Sequence, residues 1–151
     1  MSREYPSQPL VGVGVLIRDG GKILIARRAG EPSKGLWSIP GGLVELGERV
    51  RDAAVREARE ETGLEIEIED LLGVFDSVTR DENGSIRYHY IIVDFLARPV
   101  GGELKPASDI SDARWIDPAE VGQYSTTKTL GLLIDRFRQH TQTKASASVA
   151  R

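Results

Sequence analysis

The chain has 151 residues, of which 40% are hydrophobic and 28% are charged, values that are ordinary for one globular domain. Its net charge of −3 argues against binding to duplex nucleic acid, and no apolar stretch is long enough to span a membrane. Cysteine is absent, which excludes a disulfide framework, a thiolate nucleophile and a cysteine-based zinc site. The first nine residues are too polar for a signal peptide, so we expect a cytoplasmic protein.

A single folded domain is expected at residues 10–140, between an irregular N-terminal arm at 1–9 and a disordered tail at 141–151. The arm is polar and contains two prolines. The tail, TQTKASASVAR, has few apolar side chains to bury. No internal repeat or long linker divides the chain.

The domain opens with a predicted β-hairpin. Val11–Arg18 is apolar and β-branched, which favours a buried strand. Asp19-Gly20-Gly21 predicts a turn, and Lys22–Arg28 alternates as a second strand would. A loop and the short apolar segment Leu36–Ile39 follow.

A glycine pair and a helix come next. Pro40-Gly41-Gly42 predicts a tight turn in which the backbone approaches its neighbours closely. The helix is expected to begin near Glu48–Arg49 and to end at Thr62, because Gly63 is a typical stop signal.

The C-terminal half predicts more strands and a final helical region. Strands are expected at Leu64–Phe75, Ile86–Ala97 and Ala113–Ile116, with a hairpin turn at Asp81–Gly84 and a loop at Val100–Ser111. Asp117–Val121 has Asp as N-cap and Pro at the first helical position, and Thr126–Gln139 repeats apolar residues at helical spacing. This order predicts an α/β fold with a mixed β-sheet and helices on both faces.

The predicted helix carries three glutamates on one face. Glu57, Glu60 and Glu61 lie at i, i+3 and i+4, so their charges repel one another. They also lie in the last turn, where the helix dipole disfavours carboxylates. A divalent cation among them would explain this arrangement. A solvated helix with an Arg56–Glu60 ion pair is the alternative.

The residues around these glutamates have a recognisable spacing. Gly42 is followed by five residues and Glu48, and seven more residues lead to Arg56–Leu64, REAREETGL. This stretch resembles the Nudix box, G-x5-E-x7-R-E-U-x-E-E-x-G-U, where U is a bulky apolar residue. The soft departure is Ala58, which is smaller than the usual aliphatic side chain. The preceding WSIPG also resembles the lead-in of this family. The resemblance to MutT-like Nudix hydrolases implies an α/β/α sandwich with a mixed β-sheet.

The resemblance also implies hydrolysis of a nucleoside diphosphate linked to a further group, such as ADP-ribose, a nucleotide sugar or a nucleoside triphosphate, including oxidised forms. It implies that Glu57, Glu60 and Glu61 bind Mg²⁺ or Mn²⁺, and that the Gly41 carbonyl joins them. The chemistry of the residues agrees, because hard divalent ions prefer carboxylate and carbonyl oxygens. One of the glutamates could instead act as general base. The other two charged box positions, Glu48 and Arg56, are expected to form a structural pair.

Other candidate residues lie outside the box. In relatives, an arginine at the end of the second strand reaches substrate phosphate, and alternation favours Arg28 over Arg27; a surface arginine is the alternative. Asp109 lies in a polar loop where some relatives carry a further acid that acts as base or ligand; a solvated aspartate is the alternative. Trp37 and Tyr88 are candidates for stacking on a base, although aromatic side chains on strands more often pack in the core.

The identity of the substrate stays open at this point. Some ADP-ribose pyrophosphatases carry a proline shortly after the box, but none occurs between Gly63 and Ala97. Dinucleoside-polyphosphate hydrolases often have a tyrosine near Arg80–Glu82, which this chain lacks. Isopentenyl diphosphate isomerases share the fold but use a cysteine. A nucleotide-sensing module without turnover is the alternative function, although a sensor would be free to lose the glutamates. Relatives often form homodimers.

Overall fold

The computed structural model describes residues 3–149, and side chains are described for residues 3–143. Residues 3–9 are irregular, and within the described chain no helix is long and apolar enough to cross a membrane. A 3₁₀ helix at Pro118–Gln123 precedes the last helix. The other elements are β1 (Leu10–Asp19), β2 (Lys22–Arg28), β3 (Trp37–Ser38), β4 (Gly41–Leu43), α1 (Val50–Thr62), β5 (Leu64–Arg80), β6 (Ile86–Gly102), β7 (Ile110–Ile116) and α2 (Lys128–Val149).

Strand β1 is the centre of the sheet. Its residues Leu10–Ile17 pair in parallel with Tyr90–Ala97 of β6, and Gly12–Gly14 pair antiparallel with β4 on the other side. Strand β5 pairs antiparallel with β6 along most of its length. Strand β2 continues from β1 and carries β3 and β7 on its two sides. The predicted mixed β-sheet flanked by helices is therefore confirmed.

Two hydrophobic cores lie on opposite faces of the sheet, because successive side chains of a strand point to opposite faces. One face of β1 and β6 packs on the three alanines of α1, Ala53, Ala54 and Ala58. The other face, which includes Leu16 and Leu96, packs on α2. Ala58 is fully buried, so its small side chain lets α1 lie close to the sheet.

Several boundaries differ from the predicted ones. Strand β5 continues to Arg80 and β6 to Gly102, because the two strands pair with each other through their polar ends. Strand β7 begins at Ile110, earlier than expected, by pairing with Arg28 of β2. Gly41–Leu43 forms a short strand against β1 rather than a tight turn. Helix α1 begins at Val50 and ends at Thr62, with Gly63 as its left-handed C-cap as predicted.

The prediction of a disordered tail at 141–151 is wrong as far as Val149, because helix α2 continues to that residue. The helix already has a packed first half, and adding residues to an existing helix is far easier than starting one. The imidazole Nε2 of His140 also lies 2.8 Å from Asp70 Oδ2, which holds this part of α2 on β5. Residues 1–2 of the predicted arm and 150–151 of the tail lie outside the described residues.

Candidate active site

The C-terminal end of α1 places the three glutamates beside β4 and a long loop. The last carbonyls of α1 accept hydrogen bonds from this loop, from Lys105 N to Thr62 O at 2.7 Å and from Ala107 N to Glu61 O at 3.0 Å. These bonds satisfy backbone groups that a helix end leaves unpaired. They also hold the segment that leads to Asp109 against the helix.

Glu61 is the most deeply buried of the three glutamates, with 2% exposure. Its Oε1 accepts a hydrogen bond of 2.7 Å from the backbone N–H of Gly41. Burial, together with the nearby carboxylates of Glu57 and Asp109, raises the pKa of Glu61 to about 8, although the Gly41 N–H and Arg28 oppose this rise. The protein alone therefore compensates poorly for the cost of burying the negative charge of Glu61.

Glu57 lies against the second glycine of the pair. A Cβ atom at Gly42 would lie 2.4 Å from the Glu57 carboxylate, so only glycine leaves room for it. Oε1 of Glu57 accepts a 2.8 Å hydrogen bond from Arg56. Burial still raises the pKa of Glu57, and the Arg56 charge opposes this rise. The close approach expected of the glycine pair thus occurs between β4 and the helix, since each glycine contacts one buried glutamate.

The Glu48–Arg56 pair joins the loop after β4 to α1, as predicted. Arg56 donates two hydrogen bonds to Glu48, from Nε at 2.8 Å and from Nη2 at 2.9 Å. It donates another to the carbonyl of Leu43 at 3.0 Å. The guanidinium group lowers the pKa of Glu48 to about 2. This pair fixes the position of β4 relative to the helix.

The donor set suits a hard divalent cation, although the side chains are not gathered around one point. Within the residues whose side chains are described, no three acidic or histidine groups are arranged to hold a metal ion. Glu57 and Glu60 both contact Arg56, Glu60 at 3.3 Å with half of its side chain exposed. Nevertheless Glu57 and Glu61 are buried carboxylates with raised pKa values, which a cation would stabilise in their charged form. The residues present therefore fit Mg²⁺ or Mn²⁺.

Two of the candidates outside the box lie near these glutamates. Asp109 is close enough to raise the pKa of both Glu57 and Glu61, and Arg28 is close enough to lower that of Glu61. Arg28 Nε also donates a 2.7 Å hydrogen bond to Pro32 O. Arg27 is exposed, and a register shift separates it from Arg28. Arg28 therefore lies near Glu61, whereas the side chain of Arg27 is exposed.

Trp37 and Tyr88 are packed elsewhere, which corrects the expectation that they are available to stack on a base. The Trp37 ring is buried, edge-on to Tyr124 at 5.3 Å, with the Arg114 guanidinium 5.1 Å from its centroid. Tyr88 is buried near the far end of the β5–β6 hairpin, and its hydroxyl donates to Glu4 of the N-terminal arm at 2.9 Å. Both rings pack against other residues of the protein, as aromatic side chains on strands more often do.

One buried acid was missed by the sequence reasoning. Asp94 lies inside the apolar run IIVDFLA of β6 and is only 4% exposed. Burial raises its pKa to about 7. The alternation of side chains along a strand could have revealed it. Asp94 is two residues from Leu96, so the two side chains share one buried face.

Comparison with known proteins identifies the relatives of this chain. A model of the NUDIX domain matches residues 8–137. The ADP-ribose pyrophosphatase of Methanocaldococcus jannaschii is 43% identical over 109 residues, which cover 72% of this chain and 62% of that protein. The chain thus spans less than two thirds of the length of that relative.

Solved structures agree on the fold. The crystal structure of a MutT NUDIX hydrolase from Burkholderia pseudomallei superposes with a TM-score of 0.76 at 30% identity, covering 86% of this chain and 98% of that one. The NUDIX domain of Shewanella oneidensis NrtR, crystallised with ADP ribose, superposes with a TM-score of 0.71 over 90% of both chains. Its identity to this chain is 23%, so it supports the fold alone.

Proposed function

The chain belongs to the Nudix hydrolase family, and from this premise we propose that it is a divalent-metal-dependent hydrolase that cleaves the diphosphate linkage of a nucleoside diphosphate derivative. The observation that carries the proposal is the environment of Glu61. This carboxyl is buried, is held by the Gly41 N–H, and lies near two further acids, Glu57 and Asp109. Such a cluster is costly without a cation and is suited to holding one.

Each residue has a proposed role in this reaction. Glu57, Glu60, Glu61 and the Gly41 carbonyl would hold Mg²⁺ or Mn²⁺. When bound, the metal would neutralise the diphosphate oxygens and lower the pKa of a nearby water. Asp109 is the proposed general base, because it lies close enough to Glu61 to raise the pKa of that carboxyl and is exposed to solvent.

Arg28 completes the proposed phosphate site. Its guanidinium group lies close enough to Glu61 to lower the pKa of that carboxyl, so it can reach a phosphate oxygen held at the same place. Water would attack phosphorus, its proton would pass to a carboxylate, and the bridging oxygen would leave with the second phosphate. With ADP-ribose and one water, the products would be AMP and ribose 5-phosphate.

ADP-ribose is the leading substrate candidate. The similar protein from M. jannaschii is an ADP-ribose pyrophosphatase. The missing proline after the box argues against one subgroup of ADP-ribose pyrophosphatases, so nucleotide sugars and (oxidised) nucleoside triphosphates stay in the test.

A substrate panel with product analysis tests the proposal. Purified protein is incubated with Mg²⁺ or Mn²⁺ and ADP-ribose, nucleotide sugars, dinucleotides, and canonical and oxidised deoxynucleoside triphosphates. We expect cleavage of a diphosphate linkage, abolished by a chelator and restored by added metal. Absence of turnover for every compound with either metal would contradict the hydrolase assignment.

The second candidate is a nucleotide-sensing module that binds the same ligands without turnover. It is favoured by the contacts of Arg56, which engages Glu57 and Glu60 and so competes with a metal for their oxygens. Tight binding of one compound from the panel, with no product formed, would support this reading. Metal-dependent turnover of the same compound would exclude it.

A further inference from the structure

The side chain of Asp94 is almost fully buried, and its carboxyl oxygens keep only a small contact with solvent. It is 4% exposed, and it makes no hydrogen bond or ion pair within the part of the chain whose side chains are described. Buried polar groups in proteins are nearly always hydrogen-bonded, because leaving one unpaired is destabilising. An unpaired carboxyl of this kind therefore needs an explanation, and a ligand that supplies the missing donor is one.

Glycine on β1 makes the space that this carboxyl occupies. Gly14 is the direct neighbour of Asp94 on β1, and a Cβ atom there would lie 2.1 Å from Asp94 Oδ1. On the other side of Asp94, Gly73 of β5 also lacks a side chain. The Cδ1 atom of Ile39 lies 2.9 Å from the same Cβ position, and Ile39 is partly exposed. The carboxyl thus lies over the backbone of β1, beside the partly exposed side chain of Ile39.

The same glycine links Asp94 to the glutamate site. Gly14 pairs with Gly41 on one side and with Asp94 on the other, and Gly41 N–H binds Glu61. Two strand spacings therefore separate Gly41 from Asp94, which is about 10 Å. A nucleotide is long enough to span this separation, with its phosphates at Gly41 and Glu61 beside α1 and its base on the opposite face of the sheet, which Asp94 shares with Leu96.

A second unpaired polar atom lies on the same face of β6. The hydroxyl of Tyr90 is fully buried and has no hydrogen-bond partner within the described residues. Tyr90 precedes Asp94 by four residues, and an even separation along a strand places both side chains on one face. This face of β6 therefore combines apolar surface with two unpaired polar groups, as ligand pockets do.

We propose that Asp94 is a specificity residue that accepts a hydrogen bond from the exocyclic amino group of the substrate's nucleobase. An ionised carboxylate can only accept, so it pairs with an amino group and repels a carbonyl oxygen at the same place. A protonated carboxyl also accepts from an amino group, while it donates to the adjacent ring nitrogen of adenine or cytosine. Since the pKa of Asp94 is about 7, both forms occur near neutral pH, and both select an amino-substituted base.

The inference deepens the proposed function and rests on it, because it assigns the base-binding part of the same site. It favours adenine, guanine or cytosine over hypoxanthine or uracil. For ADP-ribose, the amino group at position 6 of adenine would be the donor to Asp94.

Binding of nucleoside monophosphates tests the inference without requiring turnover. Dissociation constants of AMP, GMP, CMP, IMP and UMP are measured by calorimetry in Mg²⁺ for the wild type and for Asp94→Ala. We expect one amino nucleotide to bind the wild type about 10- to 100-fold more tightly than its keto counterpart, the effect of a hydrogen bond to a charged group. In Asp94→Ala this ratio should fall close to one.

Two further variants make the result specific. Asp94→Asn keeps the shape of the side chain and adds an N–H donor, so it should improve binding of the keto nucleotide. Asp76→Ala removes an exposed aspartate on the neighbouring strand β5 and should keep the ratio of the wild type.

Three results would overturn the inference: no binding of any monophosphate, equal binding of amino and keto nucleotides by the wild type, or an unchanged ratio in Asp94→Ala. Failure of the substrate panel, with discrimination by Asp94 intact, would instead contradict the hydrolase proposal alone. The two proposals are therefore separable.

Discussion

The backbone N–H of Gly41 donates a 2.7 Å hydrogen bond to Oε1 of Glu61, joining residues that lie twenty positions apart in the chain. The bond brings the last turn of α1 onto β4, where the Gly41 carbonyl is also available. It orients a carboxyl whose charged form is disfavoured by burial and by the nearby acids Glu57 and Asp109. The helical end of the Nudix box is thus joined to the residue that directly precedes the box.

The first prediction concerns Glu61→Gln. The amide oxygen can still accept from Gly41 N–H, so the fold is retained, while the charge that would bind the metal is lost. We expect kcat/KM to fall by about 10²- to 10⁴-fold, in the range found when a group acting on the reacting atoms is removed.

The control for this change is Glu67→Gln, the same substitution at an exposed position of β5. It should leave kcat/KM unchanged. Activity of Glu61→Gln equal to that of the wild type on every cleaved substrate would refute the metal-binding role of Glu61.

The second prediction concerns Gly42→Ala. The added methyl group would lie 2.4 Å from the Glu57 carboxylate and must displace it. A misplacement of this size in a catalytic group can reduce the rate by about 100-fold. Gly101→Ala is the matched control, because a Cβ atom there meets only Glu65 at 3.7 Å. Equal kinetic effects of the two substitutions would show that space at Gly42 is not required.

The Nudix box could be recognised from the sequence because its chemistry is local. Glu57, Glu60 and Glu61 belong to one helix, so the helical period alone places them together. The pairing of Glu48 with Arg56 also follows from the box pattern. These parts need no knowledge of how distant strands are arranged.

The rest of the site depends on strand register, which the sequence does not specify directly. Asp94 reaches the face opposite α1 because β6 pairs with β1 in one register, and a shift of one residue would turn it to the other face. Asp109 approaches Glu61 because backbone hydrogen bonds hold its loop on the end of α1 and join Asp109 itself to Ala29. Trp37 and Tyr88 are drawn into packing by partners, Tyr124 and Glu4, that lie far away in the chain.

The third prediction concerns Arg56→Lys. A lysine cannot reproduce the two parallel hydrogen bonds to Glu48 together with the bond to Leu43 O. We expect the free energy of unfolding to fall by about 1–2 kcal/mol, since the guanidinium is partly exposed to solvent. Urea denaturation measures this change. Arg98→Lys, at an exposed ion pair with Glu67, should cost less, and a larger loss there would contradict the argument.

The fourth prediction concerns Asp109→Asn. If Asp109 accepts the proton of the attacking water, its amide cannot do so, and kcat should fall by about 10²- to 10⁴-fold. The Mg²⁺ concentration for half-maximal activity should stay the same, because the carboxylates proposed to bind the metal are intact. A marked rise in that concentration would show that Asp109 binds the metal instead. Asp112→Asn, three residues further along the chain and paired with Arg114, is the control and should retain kcat.

The fifth prediction uses the buried carboxyl of Asp94 to set the pH dependence of stability. Its pKa is about 7 in the folded protein and about 3.9 in an unfolded chain, because burial disfavours the charged form. Between these values the folded state holds the proton more tightly, so stability is greatest below the unfolded pKa and decreases as pH rises to about 7. The full difference corresponds to about 4 kcal/mol at most.

Asp94→Asn removes this titration, so the variant should gain stability relative to the wild type as pH rises from 4 to 8. Urea denaturation across that range, without metal or nucleotide, measures the difference between the two proteins. Asp76→Asn, at an exposed position on β5, should follow the curve of the wild type. A constant difference between Asp94→Asn and the wild type at all pH values would mean that the carboxyl does not titrate in this range. The Asp94 carboxylate would then have a partner in solution that stabilises its charged form.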